Sequence, residues 1–110
     1  MDKRTNNLLQ GTLDLLILRS LRDAERHGWG IQQRINQIAQ DAMLVNQGSL
    51  YPALLRLCKQ GFLDTEWRVT ENGRRAKYYR LSAAGRKQLE SEIEQWRRYA
   101  RAIELILETI

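Results

Sequence analysis

The sequence is poor in the residues that build disulfides, metal centres and membrane spans. Its single cysteine, Cys58, cannot form an internal disulfide, and its single histidine, His27, has no second histidine or cysteine near it to complete a metal site. The longest apolar run, Leu15 to Leu18, is far too short to cross a bilayer, and the polar N-terminus does not resemble a signal peptide. A glycine-rich phosphate loop and a nucleophile–base pair are also missing. We therefore expect a cytoplasmic protein that needs no metal or cofactor, makes no membrane contact and is not an enzyme.

Positive charge is concentrated in one part of the chain. The 110 residues carry 18 basic and 13 acidic side chains, a net charge of +5. Residues 61–88 hold seven basic and three acidic side chains and contribute +4 of that excess, whereas residues 89–110 hold three basic and five acidic ones and are net −2. A surface that only solvates the protein would scatter its excess charge. The basic middle segment instead indicates an anionic partner such as nucleic acid.

Apolar residues at helical spacing predict two helices in the first forty residues. The first starts at Leu8, after a polar segment, Met1–Asn7, that we expect to be a loosely held arm. Two glycines within Gly28-Trp29-Gly30 predict a turn, and the second helix should start near Gly30. The buried sides of these two helices should carry Leu9, Leu13, Leu16, Ile17 and Leu21 in the first, and Ile31, Ile35, Ile38 and Ala39 in the second.

A third helix follows, and its first turn is polar. Asn46, Gln47 and Ser49 are polar residues able to cap it, and Gly61 suits the left-handed position at which helices often end. A helix with a polar front and an apolar body, close behind another helix, is typical of the recognition helix of a helix-turn-helix. The alternative is an ordinary amphipathic helix. Its apolar side is predicted to carry Leu50, Leu54, Leu55 and Leu57.

The front of this third helix offers candidates for contacts in a DNA groove. Gln47 can bond adenine in bidentate fashion, whereas Ser49 and Tyr51 are of types that more often bond phosphate. Tyr51 could instead pack beneath a neighbouring hairpin. Arg56 is a weaker candidate, because it could also be an ordinary surface charge.

The periodicity changes from helical to alternating after Gly61. Apolar and polar residues alternate from Leu63 to Thr70, Asn72-Gly73 supplies a turn, and a second strand follows from Lys77 to Leu81. This pattern predicts a two-stranded β-hairpin. Its tip carries three cations that could meet DNA phosphates, and the alternative is a solvated loop. The three are Arg74, Arg75 and Lys77.

The end of the chain predicts a long helix with a heptad seam. Ser82 can cap it, and apolar residues then step by four and three residues over about three heptads. A domain of this size cannot cover such a helix, so we expect a second copy of the chain to do so; the alternative is packing on the first helix. Trp96 would fill the interface or stack on a planar ligand near the dimer axis. The seam residues are Leu89, Ile93, Trp96, Ala100, Ile103, Leu107 and Ile110.

Together these segments resemble the PadR family of bacterial winged-helix regulators, from about Leu8 to Leu107. The most specific pieces are the runs Gly48-Ser-Leu-Tyr-Pro-Ala-Leu and Arg74-Arg75-Ala76-Lys77-Tyr78-Tyr79-Arg80-Leu81-Ser82. The closing helix resembles the compact subgroup often described as acidobacterial. Cys58 departs from the pattern, since such proteins usually carry Glu there.

The resemblance implies a homodimeric transcription factor, most often a repressor, and some relatives respond to small aromatic ligands. We therefore expect a mainly α (α+β) fold: a winged helix-turn-helix over residues 1–82 with a two-stranded wing, and a dimerisation helix over residues 83–110. The expected partners are double-stranded DNA at an inverted-repeat operator, a second copy of the chain, and possible small-molecule effectors. The alternative is a winged helix that binds protein instead of DNA.

Overall fold

The computed structural model describes residues 3–40 and 44–109, and the side chains of residues 11–40 and 44–109. It contains four helices and a small sheet in these ranges. The α+β winged-helix architecture predicted from the sequence is confirmed. In chain order the elements are α1 (Lys3–Ser20), β1 (Arg26–His27), α2 (Gly28–Ala39), α3 (Gln47–Lys59), β2 (Leu63–Val69), β3 (Arg75–Leu81) and α4 (Ala83–Glu108).

The sheet has one strand more than the sequence predicted. The β2–β3 hairpin, which we call the wing, is joined by β1 in the antiparallel order β1-β3-β2. The short strand pairs Arg26 with Tyr79 and His27 with Tyr78, next to the base of the wing. The two-stranded wing is therefore attached along β3 to the segment that connects α1 and α2.

Three boundaries differ from those expected. Strand β3 begins at Arg75, two residues before its predicted start, so Arg75 and Lys77 lie in the strand and only Arg74 lies in the turn. Helix α1 begins at Lys3, so the prediction of a loose arm is wrong for residues 3–7. Helix α2 begins at Gly28 because His27 caps it: the Gly30 N–H donates to His27 Nδ1 at 3.0 Å. The single histidine, for which the sequence indicates no metal site, thus has a defined structural role as a helix cap.

Both ends of α3 are fixed by local hydrogen bonds. The Ser49 N–H donates to the Asn46 side chain at 2.9 Å, which caps the first turn. At the other end the Phe62 N–H donates to the Leu57 carbonyl and the Gly61 N–H to the Cys58 carbonyl, with Gly61 at φ +81°. This is the Schellman arrangement, and it places the start of β2 directly beneath the recognition-like helix.

The core lies where α1, α2 and α3 meet the base of the wing and the first turns of α4. Helix α4 approaches closely there, since a Cβ at Gly85 would lie 2.0 Å from the Phe62 carbonyl oxygen. Only glycine fits that contact. The largest fully buried side chains are Ile17, Leu18, Ile31, Leu50, Leu54, Leu57 and Leu89.

Candidate nucleic-acid interface

Helix α3 divides into a buried face and an exposed face. Leu50, Ala53, Leu54 and Leu57 enter the core. Gln47 is exposed at the first turn, while Ser49 is partly covered. Packing therefore leaves one side of the helix, starting at its N-terminal turn, exposed and available to a partner.

Leu55 lies on the exposed side, contrary to the sequence-based prediction. It is 56% exposed and stands one turn after Tyr51, which is 47% exposed. The apolar pattern suggested burial, but a residue four positions after Tyr51 must share its face. An exposed leucine on a recognition helix can contact a thymine methyl group, so Leu55 joins the candidate site.

The Tyr51 ring packs against the first turn of α2. A Cβ at Gly28 would lie only 2.9 Å from the Tyr51 hydroxyl oxygen, so the ring passes directly over that glycine. Its ring edge therefore packs against the start of α2, while part of the side chain stays exposed. The missing side chain of Gly28 is the local reason that the ring fits.

A cleft of about 690 Å³ separates α3 and the first turn of α2 from the wing. Its walls are aromatic and cationic, a combination suited to the sugar–phosphate backbone and base edges of a nucleic acid. Trp29 and Trp67 are both about half exposed there, and neither was among the sequence-predicted site residues. The cleft residues that matter most are Trp29, Tyr51, Trp67, Arg75, Lys77 and Tyr79.

The wing cations that face the cleft are held by aromatic rings. The Arg75 guanidinium carbon lies 5.4 Å from the Trp67 ring centroid, and Lys77 Nζ lies 6.0 Å from that of Tyr79. Within the described residues neither cation has an acidic partner at ion-pair distance. Arg74 is exposed at the turn beside them. Their charge is therefore directed to the cleft without being neutralised.

Arg56 lies elsewhere. Its guanidinium is bonded to the Asp14 carboxylate of α1 and is partly buried between the two helices. Burial raises the pKa of Asp14, and the bond to Arg56 offsets part of that rise. The structure thus places Arg56 in the helical body, on a different side from the three wing cations.

The apolar seam of α4 is only partly open. Trp96, Ile103 and Leu107 are 50%, 55% and 77% exposed. Leu89, by contrast, is 1% exposed in the core of its own chain, which removes it from the predicted interface. Ile93 packs partly on that core, Ala100 is partly buried, and Ile110 lies outside the described residues.

A groove of about 590 Å³ runs between α1 and α4 beside this seam. Leu15, Trp96, Tyr99 and Ile103 make it largely apolar. Glu92 also lines it, and its Oε2 is buried without a hydrogen-bond partner. Burial raises the pKa of Glu92. Tyr99 and Ile106, both exposed, extend the apolar surface beyond the residues chosen from the heptad pattern.

Other kinds of site find little support in the described ranges. Residues 3–40 and 44–109 contain no group of three histidine, cysteine or acidic side chains able to hold a metal ion. No helix in those ranges is long and apolar enough to span a membrane. Burial raises the pKa of the Cys58 thiol, which disfavours the reactive thiolate.

Three helices with an open third helix, followed by a basic hairpin, define a winged helix-turn-helix protein of the transcription-regulator class. Residues 17–91 match the Transcriptional regulator PadR-like family, and the chain belongs to that family. Members of this family are generally regulators without enzymatic activity.

Individual relatives agree with this assignment. The chain is 35% identical over 89 residues to the transcriptional regulator Rv3488 of Mycobacterium tuberculosis, covering 81% of this chain and 79% of that one. The crystal structure of a PadR-like transcriptional regulator from Bacillus cereus superposes with a TM-score of 0.80 at 26% identity, over 94% of this chain and 99% of that one. A transcriptional regulator from Clostridium thermocellum shares the fold, with a TM-score of 0.83 at 24% identity, over 93% and 96%.

Proposed function

We propose that this transcriptional regulator is a cytoplasmic homodimer that binds double-stranded DNA sequence-specifically and acts as a repressor. The observation that carries the proposal is the cleft between α3 and the wing, where Arg75 and Lys77 have no acidic partner among the described residues. Residues 1–82 would bind DNA and residues 83–110 would join the two copies.

In this proposal α3 and the wing have different tasks. Gln47, Ser49, Tyr51 and Leu55 enter the major groove, where base edges are accessible. Arg74, Arg75 and Lys77 meet phosphates, which fixes position without reading sequence. Two-fold symmetry then requires an inverted-repeat operator with half-sites centred about one helical turn, ~34 Å, apart or a multiple of it.

A protein-binding winged helix is the alternative function. Such a module should have a neutral or acidic wing cleft, whereas this cleft is cationic and aromatic. The charge therefore favours DNA over a protein partner.

The test combines selection and titration. Duplexes recovered from a random pool by the wild-type protein should share a dyad-symmetric sequence. Filter binding should then show log affinity falling linearly with log salt concentration, with preference for the selected duplex. Recovery of no common sequence, or affinity that does not depend on salt, would argue against the proposal.

We also propose a binding site for a small aromatic effector beside Trp96, through which the effector would control DNA binding. The ring lines the apolar groove between α1 and α4 and is half exposed there. A planar aromatic dye should quench tryptophan fluorescence in the wild type and in Trp29→Leu and Trp67→Leu variants, but not in Trp96→Leu. The same dye should release the selected duplex if binding and repression are coupled.

A further inference from the structure

The back of the wing carries charges that are paired, in contrast to the free cations facing the cleft. We define the back face as Glu66, Arg68, Tyr78 and Arg80, whose side chains alternate with those of the cleft side. Arg68 Nη2 lies 2.6 Å from Glu66 Oε2 and is also bonded to the carboxylate of Glu25. Arg80 Nη1 lies 3.8 Å from both Glu25 Oε1 and Glu66 Oε2. Two acids and two arginines thus form one network.

Glu25 is the member of this network that does not belong to the wing. It precedes β1 in the segment between α1 and α2. The next residue, Arg26, is tied to the body because its Nε donates to the Ser20 carbonyl at 3.0 Å, at the end of α1. Every ion pair that Glu25 makes with Arg68 or Arg80 therefore joins the wing to the helical body.

One member of the network, Arg68, lies beyond the part of the wing that pairs with β1. Strand β1 pairs only with Tyr78 and Tyr79, whereas Arg68 lies nearer the tip, opposite Ala76. Arg68 reaches back over the Tyr78 ring, 5.0 Å from its centroid, to meet Glu25. The other neighbour of Tyr78 is His27, packed edge-on at 5.3 Å, which caps α2.

We propose that Glu25 is a positioning residue for DNA recognition, which holds the wing through Arg68 and Arg80 at a fixed angle to α3. Arg75 and Lys77 then meet the backbone of the same duplex whose bases α3 reads. The inference rests on the proposed function, and it adds a residue that itself does not touch DNA. Neutralising the back face also directs the positive potential of the wing towards the cleft.

Removing one negative charge separates this role from simple electrostatics. A Glu25→Gln substitution makes each chain more positive by one charge. If Glu25 were only a surface anion, this should tighten binding to every duplex. If it positions the wing, binding to the selected duplex should weaken roughly three- to tenfold, while a random duplex of equal length should bind as well as before or better.

Glu71→Gln is the matched control. Glu71 is exposed at the wing tip and has no ion pair among the described residues, so its removal changes the charge alone. This variant should bind both duplexes more tightly. Arg68→Gln should also weaken binding to the selected duplex, but it should weaken binding to the random duplex as well, because a positive charge is lost. The double variant has the net charge of the wild type and should be no worse on the selected duplex than Arg68→Gln alone, because the Glu25–Arg68 contact is already absent in that variant.

Hydrogen exchange supplies a readout that a general loss of stability would not give. In Glu25→Gln the amides of the outer wing should exchange faster while those of α1 and α3 keep their protection. If Glu25→Gln tightens binding to both duplexes as Glu71→Gln does, or leaves wing exchange unchanged, the inference is wrong and the proposed function stands. If the wild type shows no salt-dependent DNA binding, the proposed function itself fails.

Discussion

At the scale of single residues, Gln47 and Arg75 represent the two kinds of DNA contact. Gln47 is exposed on the first turn of α3, and Arg75 lies over Trp67 on the wing. Gln47→Ala should cost ~1–3 kcal/mol of binding free energy on the selected duplex and much less on a random one, because base contacts discriminate. Arg75→Ala should weaken both duplexes and lower the salt slope by about two units per dimer. Titrations of both duplexes at several salt concentrations measure this.

Tyr51→Phe belongs in the same series as a control. The Tyr51 hydroxyl lies beside Gly28. If this hydroxyl bonds a phosphate, its removal should lower the affinity for both duplexes equally. If the ring only packs, the substitution should change the affinity very little. Specificity that changes in Arg75→Ala but not in Gln47→Ala would reverse the assignment and make the wing the reader of sequence.

Glu92 should make the stability of the folded chain depend on pH. Burial raises the pKa of Glu92 above its ordinary value of 4.5, a hydrogen bond from Gln88 opposes this rise, and the nearby Asp14 carboxylate adds to it. The folded chain therefore favours the protonated carboxyl, and stability falls as pH rises through the folded-state pKa. Glu92→Gln should unfold at a higher urea concentration than wild type at pH 7, and this gain should vanish below pH ~4, where the carboxyl is protonated in both states.

Glu94→Gln is the control for this pH dependence. Glu94 is exposed on the same helix and is paired with Arg98 at 2.9 Å, so its removal should bring no gain at neutral pH. Both variants should be compared at one protein concentration, since a dimer unfolds in a concentration-dependent way. A Glu92→Gln protein less stable than wild type at pH 7 would mean that the carboxylate has a partner, such as a cation from a second copy.

At the scale of elements, Ser82 joins the end of α3 to the start of α4. Its hydroxyl donates to the Gly61 carbonyl at 2.7 Å, accepts from the Gly85 N–H at 3.0 Å, and so ties the end of α3 to the start of α4. Ser82→Ala should reduce the free energy of unfolding by about 1–2 kcal/mol, because a helix cap and a loop contact are lost together. Urea unfolding followed by circular dichroism measures the change.

Ser91→Ala provides the matched comparison, since Ser91 is exposed in the middle of α4. There alanine is the better helix former, so this variant should equal or slightly exceed the wild type. Equal losses in the two variants would show that the Ser82 hydroxyl has no special role at the junction.

The sequence was sufficient for elements whose signals are local. The cap Ser82, the left-handed Gly61 and the turn at Gly73 each act within a few residues and were found where expected. Of the three polar residues able to cap α3, Asn46 is the one that does so. The alternation between Leu63 and Val69 predicted β2 correctly for the same reason.

Contacts between distant segments could not be predicted in this way. Strand β1 is two residues long, shows no alternation and exists only because β3 is beside it. Arg56 forms an ion pair with Asp14, and Arg68 with Glu25, although more than 40 residues separate the members of each pair in the sequence. A seam of regular spacing also could not show that Leu89 enters the core of its own chain while Ile103 stays exposed.

At the scale of the whole molecule, α4 extends well beyond the body. Its 26 residues measure about 39 Å, and the chain spans 58 Å along its longest axis against 29 and 25 Å along the others. Trp96, Ile103, Ile106 and Leu107 are exposed on the projecting part. An apolar surface of this length on one helix favours a second copy as its cover.

An Ile103→Asp substitution tests whether a second copy of the chain covers the apolar face of α4. Light scattering coupled to size exclusion should give twice the chain mass of 12.9 kDa for the wild type at micromolar concentration, and the chain mass for Ile103→Asp, because a buried carboxylate at the seam lacks compensation. Leu105→Asp adds the same charge on the opposite side of α4 and should remain dimeric.

Dissociation of the dimer should lower the affinity for the selected duplex far more than for a random one, since the two half-sites are no longer bound together. A monomeric wild type, or a Leu105→Asp monomer beside an Ile103→Asp dimer, would place the interface elsewhere.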